Sequence, residues 1–188
     1  ESFKQSSSDD CVVTSVTGKH KQGNSHADII LLSSNGKGFT CFPKNLEKFF
    51  KNLATIMITS EKILRLSGSD LESLGSQLTN LWMYGNNLEV IPAGFFDNTK
   101  ELKFIYISDN KFKYVASGEF DKLQKLTTLY FKNNPCHSGI ADNRSDVLSL
   151  IKGIESDCKD EEAFRRYKNE PTTTERNIVG ELNTCNND

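Results

Sequence analysis

No run of apolar residues in this chain approaches the length that a membrane-spanning helix needs, so no span is expected. Charge of one sign is missing too. Lys and Arg number 23 against 25 Asp and Glu, a net charge of −2, which leaves no global pull toward nucleic acid or an anionic bilayer. Histidine is scarce: His20, His26 and His137 fall in predicted loops or caps, none at the spacing of a zinc site or beside an obvious nucleophile. His137 next to Cys136 can be read as a metal or Cys–His pair, but a bridged cysteine is the stronger reading. Glycine loops that cradle phosphate and nucleic-acid modules are absent as well. Catalysis, metal, cofactor and nucleic acid are therefore not among the expected functions. An initiator Met is also missing. The chain opens at Glu1, which suggests a processed or truncated product, and any signal peptide is not in this sequence.

What is present is one pattern written three times between Leu78 and Asn134. Leu78, Leu81, Met83, Asn86, Leu88, Ile91 and Phe96 form the first copy. Leu102, Ile105, Ile107, Asn110, Phe112, Val115 and Phe120 repeat it 24 residues later. Leu126, Leu129, Phe131 and Asn134 begin a third copy, which Pro135-Cys136 cuts short. The spacing L-x-x-L-x-L-x-x-N-x-L is that of a leucine-rich repeat. A set of Leu-rich amphipathic helices is the bland alternative, and Asn and Phe locked to one interval argue against it. Positions four and six of each copy share a strand face, so Leu81 with Met83, Ile105 with Ile107, and Leu129 with Phe131 point inward. Each Asn stands where the chain leaves its strand, and its amide can both donate to and accept from stranded backbone groups. One coil cannot bury its apolar face alone, so the unit is stable only as a stack.

The 188 residues make one domain, large enough to bury a core. Residues 1–10, polar and Ser-rich, read as a disordered lead-in. Residues 11–52 read as an amino-terminal cap with a first degenerate coil. In it the β-branched run CVVTSVT pairs as a hairpin with the apolar run Asp28–Leu32, across a loop with turn chemistry at Gly23-Asn24. Repeats occupy 53–134. Leu53, Ile56, Ile58, Ile63 and Leu66 fit the pattern, but Glu61 stands where Asn is expected, so that turn must be satisfied differently. About five coils are expected in all. Residues 135–170 read as a helical cap: Val147, Leu148, Leu150, Ile151 and Ile154 have helical spacing, and Asp160–Glu170 reads as a second helix with acids first and bases later. A tail, 171–188, follows Pro171. The predicted class is thus an α/β leucine-rich-repeat solenoid with a concave parallel sheet, an N-terminal β-hairpin cap and a C-terminal helical cap.

The five cysteines all avoid the clear copies. Pairing Cys11 with Cys41 and Cys136 with Cys158 would brace both caps, an extracellular solution, and leaves Cys185 alone. The competing arrangement joins Cys136 to Cys185 and leaves Cys158 over. A set of reduced intracellular thiols is the alternative to both. An odd cysteine in a secreted chain implies an intermolecular bridge or a free thiol, so a disulfide-linked homo- or heterodimer through Cys185 is one expectation. Asn143-Arg144-Ser145 is an N-glycosylation sequon, usable only on a secreted chain.

On these motifs the sequence resembles extracellular leucine-rich-repeat proteins over roughly residues 28–160. The copies bearing Phe96 and Phe120 resemble the short subtype of animal receptors and secreted proteins, and FPKNLEKFFKNLATI is similar to small secreted repeat proteins of insects. The resemblance implies a secreted protein-recognition module, with Toll-like receptors and secreted insect immune factors as family examples. Two departures stand out. The amino-terminal cap lacks a dense cysteine cluster, and the carboxy-terminal cap has fewer cysteines than the family's usual four.

The concave face can be read directly. Between the inward aliphatics lie Met57, Trp82, Tyr106 and Tyr130, flanked by Tyr84, Phe104 and Lys132, with Asp109 as a further polar neighbour. This row is the expected ligand-binding surface, because Trp and Tyr dominate interface energetics. Cross-strand packing that only stabilises the sheet is the competing account. The lysines Lys100, Lys103, Lys111, Lys113, Lys122, Lys125 and Lys132 outnumber nearby acids, yet they fall on different sides of each coil and read as solvated surface. The expected function is a secreted, non-catalytic module that binds a protein on its concave face, set in innate immune defence. Its rivals are an adhesive protein linked through Cys185 and an intracellular scaffold or inhibitor.

Overall fold

Period-two alternation inside a 24-residue repeat gives very short strands, each ended by the polar turn that follows it. The computed structural model describes residues 2–5, 11–17 and 30–169. Strands β1 (Ser2–Gln5) and β2 (Val13–Thr17) pair antiparallel. Then come β3 (Leu31–Asn35), β4 (Thr55–Thr59), β5 (Asn80–Trp82), β6 (Val90–Ile91), β7 (Phe104–Tyr106), β8 (Tyr114–Val115), β9 (Thr128–Tyr130) and β10 (Ile140–Ala141). Helices α1 (Arg144–Asp157) and α2 (Glu161–Asn169) end the described chain.

The main sheet has six strands in the order β10-β9-β7-β5-β4-β3, the last five of them mutually parallel. Five parallel strands enclose four full turns. The fifth coil is entered at β9 and then gives way to the cap, where β10 pairs antiparallel with β9. On the flank, β6 and β8 form a second, two-stranded parallel sheet.

The inward aliphatics stack into one core with Phe96 and Phe120 closing the far side, their ring centroids 5.5 Å apart. The Asn column repeats one bonding scheme. Asn86, Asn110 and Asn134 each accept from a backbone N–H of the preceding coil: Ile63 at 3.2 Å, Leu88 at 3.2 Å and Phe112 at 3.4 Å. Each amide nitrogen donates back to a carbonyl of that coil: Ile58 at 2.9 Å, Met83 at 2.9 Å and Ile107 at 3.2 Å. The residue just before this column is left-handed in every coil, with φ of 53° at Ser60, 69° at Gly85, 55° at Asp109 and 57° at Asn133. Apart from the glycine, these are short polar residues that tolerate the left-handed region best.

Glu61 solves the turn by another route. Its carboxylate accepts from Ser34 Oγ at 2.6 Å and from the N–H groups of Lys37, Gly38 and Phe39 at 3.1, 2.6 and 3.0 Å. The first coil presents donors here, so an acceptor-only side chain replaces the amide. Burial pushes the Glu61 carboxyl up, but the hydroxyl and backbone donors outweigh it and hold it below the usual carboxylate range.

Two expectations are corrected. The N-terminal hairpin exists, but β2 pairs with β1 rather than with the Asp28–Leu32 run; β3 instead joins the concave sheet parallel to β4. Ser2–Gln5, read as part of a disordered lead-in, is therefore a strand. The loop around Gly23-Asn24, the tail 171–188 and Cys185 lie outside the described residues.

Disulfides join Cys11 to Cys41, Cα atoms 6.0 Å apart, and Cys136 to Cys158, 4.9 Å apart. The latter ties the end of the last coil to the C-terminus of α1, whose Val147, Ile151 and Ile154 cover the open end of the core. Helix α2 turns back along the flank. Its Phe164 stacks on Tyr114 at 4.3 Å, Tyr167 Oη donates to the Leu66 carbonyl at 2.7 Å, and Arg65 donates to the Tyr167 carbonyl at 2.5 Å.

Candidate functional site

Parallel sheets are normally covered on both faces. Here the turns cover one, and the strands' other face lies open. Register sets its composition: Met57 is paired with Trp82, Trp82 with Tyr106, and Tyr106 with Tyr130. On one side of this row Phe104 aligns with Asn80 and Thr128, and on the other Tyr84 follows Trp82 at the strand exit.

The rings form a continuous cluster. Trp82 stacks on Phe104 at 4.9 Å and Tyr84 on Tyr106 at 4.7 Å. Trp82 meets Tyr106 at 5.5 Å, Tyr130 meets Phe104 at 5.6 Å, and Tyr106 meets Tyr130 edge-on at 5.2 Å. All five rings and Met57 are half-buried, so each keeps part of its surface in solvent, and Lys132 is exposed. The packing that orders the rings thus leaves their outer faces uncovered by other described residues. Among the three outward positions on each of the five parallel strands the only charged side chain is Lys132, in a chain with 26% charged residues. Depletion of charge with enrichment of aromatics is the compositional mark of an interface core.

One residue at this site was not legible. Strand β10 places Ile140 opposite Tyr130, and the exposed Asp142 stands just past the end of that strand. The Asp142 carboxylate, helped by burial, holds the Tyr130 phenol above the ordinary tyrosine value. No repeat signal marks Asp142, because it follows the cap strand β10, which runs against the others.

The remaining candidates have structural surroundings. His137 Nδ1 lies 2.8 Å from Asp157 Oδ2, a contact that holds the Asp157 carboxyl below its usual range, and its ring sits against Gly153 of α1. Cys136 beside it is bridged, so no Cys–His pair exists. Among the described residues, no three metal-capable side chains cluster. Asn143 caps α1, its Oδ1 accepting from the Asp146 N–H at 3.0 Å, and the residue is exposed. Three of the lysines bridge neighbouring coils: Lys113 to Glu89 at 3.1 Å, Lys125 to Glu101 at 2.5 Å, and Lys122 to Asp97, with Lys122 also pairing with Glu119 of its own coil. A groove of about 310 Å³ between α2 and the flank is lined by Leu64, Arg65, Glu89, Arg166 and Tyr167. Its charges are already engaged, since Arg166 pairs with Glu89 and Arg65 lies over the Tyr167 ring. Among the described residues, no helix is long and apolar enough to cross a membrane.

A strand column, an Asn ladder and an open concave sheet together define a leucine-rich-repeat solenoid, and the Leucine rich repeat family model matches residues 76–135. In fold the chain is similar to a chain of the Toll–Spatzle complex of Drosophila, with a TM-score of 0.54 and 18% identity over 58% of this chain. It is likewise similar to the leucine-rich-repeat domain of APL1B, with a TM-score of 0.52 and 22% identity over 56% of this chain. It spans only 14% of the first of those chains and 31% of the second. No curated protein matches the sequence significantly. Residues 76–135 are thus a leucine-rich-repeat segment, and the solenoid that contains it shares the fold of those structures.

Proposed function

We propose that this protein is a secreted recognition module that binds a protein partner through its concave face. The observation that carries the reading is the half-exposed cluster of Trp82, Tyr84, Phe104, Tyr106 and Tyr130 on a sheet face bearing almost no charge. Rings already ordered by their neighbours lose little conformational freedom on binding, and their uncovered faces supply apolar contact area. Bridged cysteines at both caps support an oxidising compartment. In such a compartment the exposed Asn143 is a glycan acceptor whose capping oxygen remains free to cap. The setting we propose is innate immune defence, one of the two, with development, named for the Toll–Spatzle complex with which the fold is shared.

The test is a paired capture from the fluid in which the protein occurs. Wild type retains a partner that the double variant Trp82→Ala, Tyr106→Ala loses, while both melt within a few degrees of each other. Equal retention by the two places recognition elsewhere on the molecule. A non-reducing gel of native material reads compartment, glycan mass and any covalent link through Cys185 in one lane.

A further inference from the structure

Resting on the concave face as the recognition surface, we infer that the partner seats a basic side chain, Arg or Lys, over Tyr106 and Tyr130 beside Asp142. In β10 Ala141 is buried against the core, while Ile140 before it and Asp142 just past the strand are exposed. The exposed Asp142 carboxylate follows the residue pair that sets β10 beside Tyr130, and a negative charge at that edge of the ring cluster adds to the pull of the ring faces on a cation.

The ring geometry differs between the two ends of the cluster. Toward the flanks the rings stack nearly parallel, with Trp82 on Phe104 at 22° and Tyr84 on Tyr106 at 28°. At Tyr130 they turn against one another, at 75° to Tyr106 and 59° to Phe104. Rings set at these angles turn their faces in different directions, so a cation at this end of the cluster can meet more than one π system.

Charge points the same way. Acids elsewhere on the coils are paired with lysines, Glu89, Asp97 and Glu101 with those of the next coil and Glu119 with Lys122 of its own. At the concave margin Asp142 has no basic partner among the described residues, and Asp109 receives only the neutral Asn133 amide at 2.7 Å. A guanidinium or ammonium over these rings would meet the Asp142 carboxylate as an exposed, charge-assisted partner. Lys132, the one base on this face, forms no ion pair among the described residues and would repel such a guest.

A library of random linear 12-residue peptides, panned on the intact chain, tests this. Clones whose binding is lost in Trp82→Ala are expected to be enriched in Arg or Lys. Replacing that Arg by citrulline, its neutral isostere, should weaken binding about three- to tenfold, as an exposed cation–π contact with an ion pair predicts. Asp142→Asn removes the charge at nearly the same size and should cause the same loss, with no further effect on the citrulline peptide. Lys132→Ala should tighten the Arg peptide and leave the citrulline peptide unchanged. Trp82 is the chain's only tryptophan, so its emission checks the integrity of the face in each variant. Trp82-dependent clones without basic enrichment, or clones indifferent to Asp142→Asn, overturn the basic guest and leave the concave site standing. If no clone depends on Trp82, the recognition face itself falls.

Discussion

Glu155 accepts a hydrogen bond from the Gly118 amide at 2.9 Å, just as Glu119 does from the Gly94 amide one coil earlier, at 2.8 Å. Glu119 belongs to a repeat, while Glu155 comes from helix α1 of the cap. The helix thus supplies the carboxylate that the missing next coil would have supplied, and the last turn meets the same chemistry as the one before it. Glu155→Ala should cost about 1–2 kcal/mol in urea unfolding and speed hydrogen exchange at Gly118. Glu155→Gln, which keeps an acceptor, should recover about half.

Asn110 shows why the ladder wants an amide. The side chain is 1% exposed, accepts from the Leu88 N–H, and donates to the carbonyls of Met83, Ile107 and Ser108. Asn110→Ala strands all of these and leaves a cavity, an expected loss of about 2–4 kcal/mol. Asn110→Asp sets an acceptor against carbonyls, so it should be at least as damaging at pH 7. It should recover partly on acidification, when the protonated carboxyl can donate. Unfolding at pH 5 and pH 7 separates the two variants.

Glu61 and Asp70 titrate with opposite consequences. The Glu61 carboxyl is held below its unfolded value, so its contribution is present at neutral pH and is lost as pH falls through the folded value. Asp70 is 7% exposed, and burial raises it to about 6 against the Ser67 N–H and the Lys44 charge. Its contribution is full below an unfolded value near 3.8 and is lost as pH climbs to about 6. Asp70→Asn should therefore leave stability unchanged at pH 3.5 and raise it by roughly 2 kcal/mol above pH 6. Glu61→Gln should do the reverse, costing about 1–3 kcal/mol at pH 7 and little near pH 3.5.

Much of the repeat was readable because a fixed interval ties each residue to a face. The inward pairs, the Asn column and the Met57–Trp82–Tyr106–Tyr130 register all follow from period two inside period 24. Glu61 was visible as an exception, but not its solution, since Lys37, Gly38 and Phe39 carry no motif. Features that depend on one long-range contact were out of reach. Tyr167 bonds Leu66 across 101 residues, and the SFKQ strand that pairs with β2 is too polar to announce itself. The left-handed row at Ser60, Gly85, Asp109 and Asn133 was written in the chain, but three different residue types other than glycine disguised it.

Reversal of strand direction at β10 also sets a dimension. Five parallel strands at ~4.8 Å spacing make a window roughly 20 Å wide, and strands this short make it about 15 Å tall. That area, on the order of 300 Å², is under half of what one side of a standard protein complex buries, about 800 Å². A stable partner must therefore overhang the window, gripping the rim at Asp109 and Asn133 or the lip at Ile140 as well as its aromatic floor.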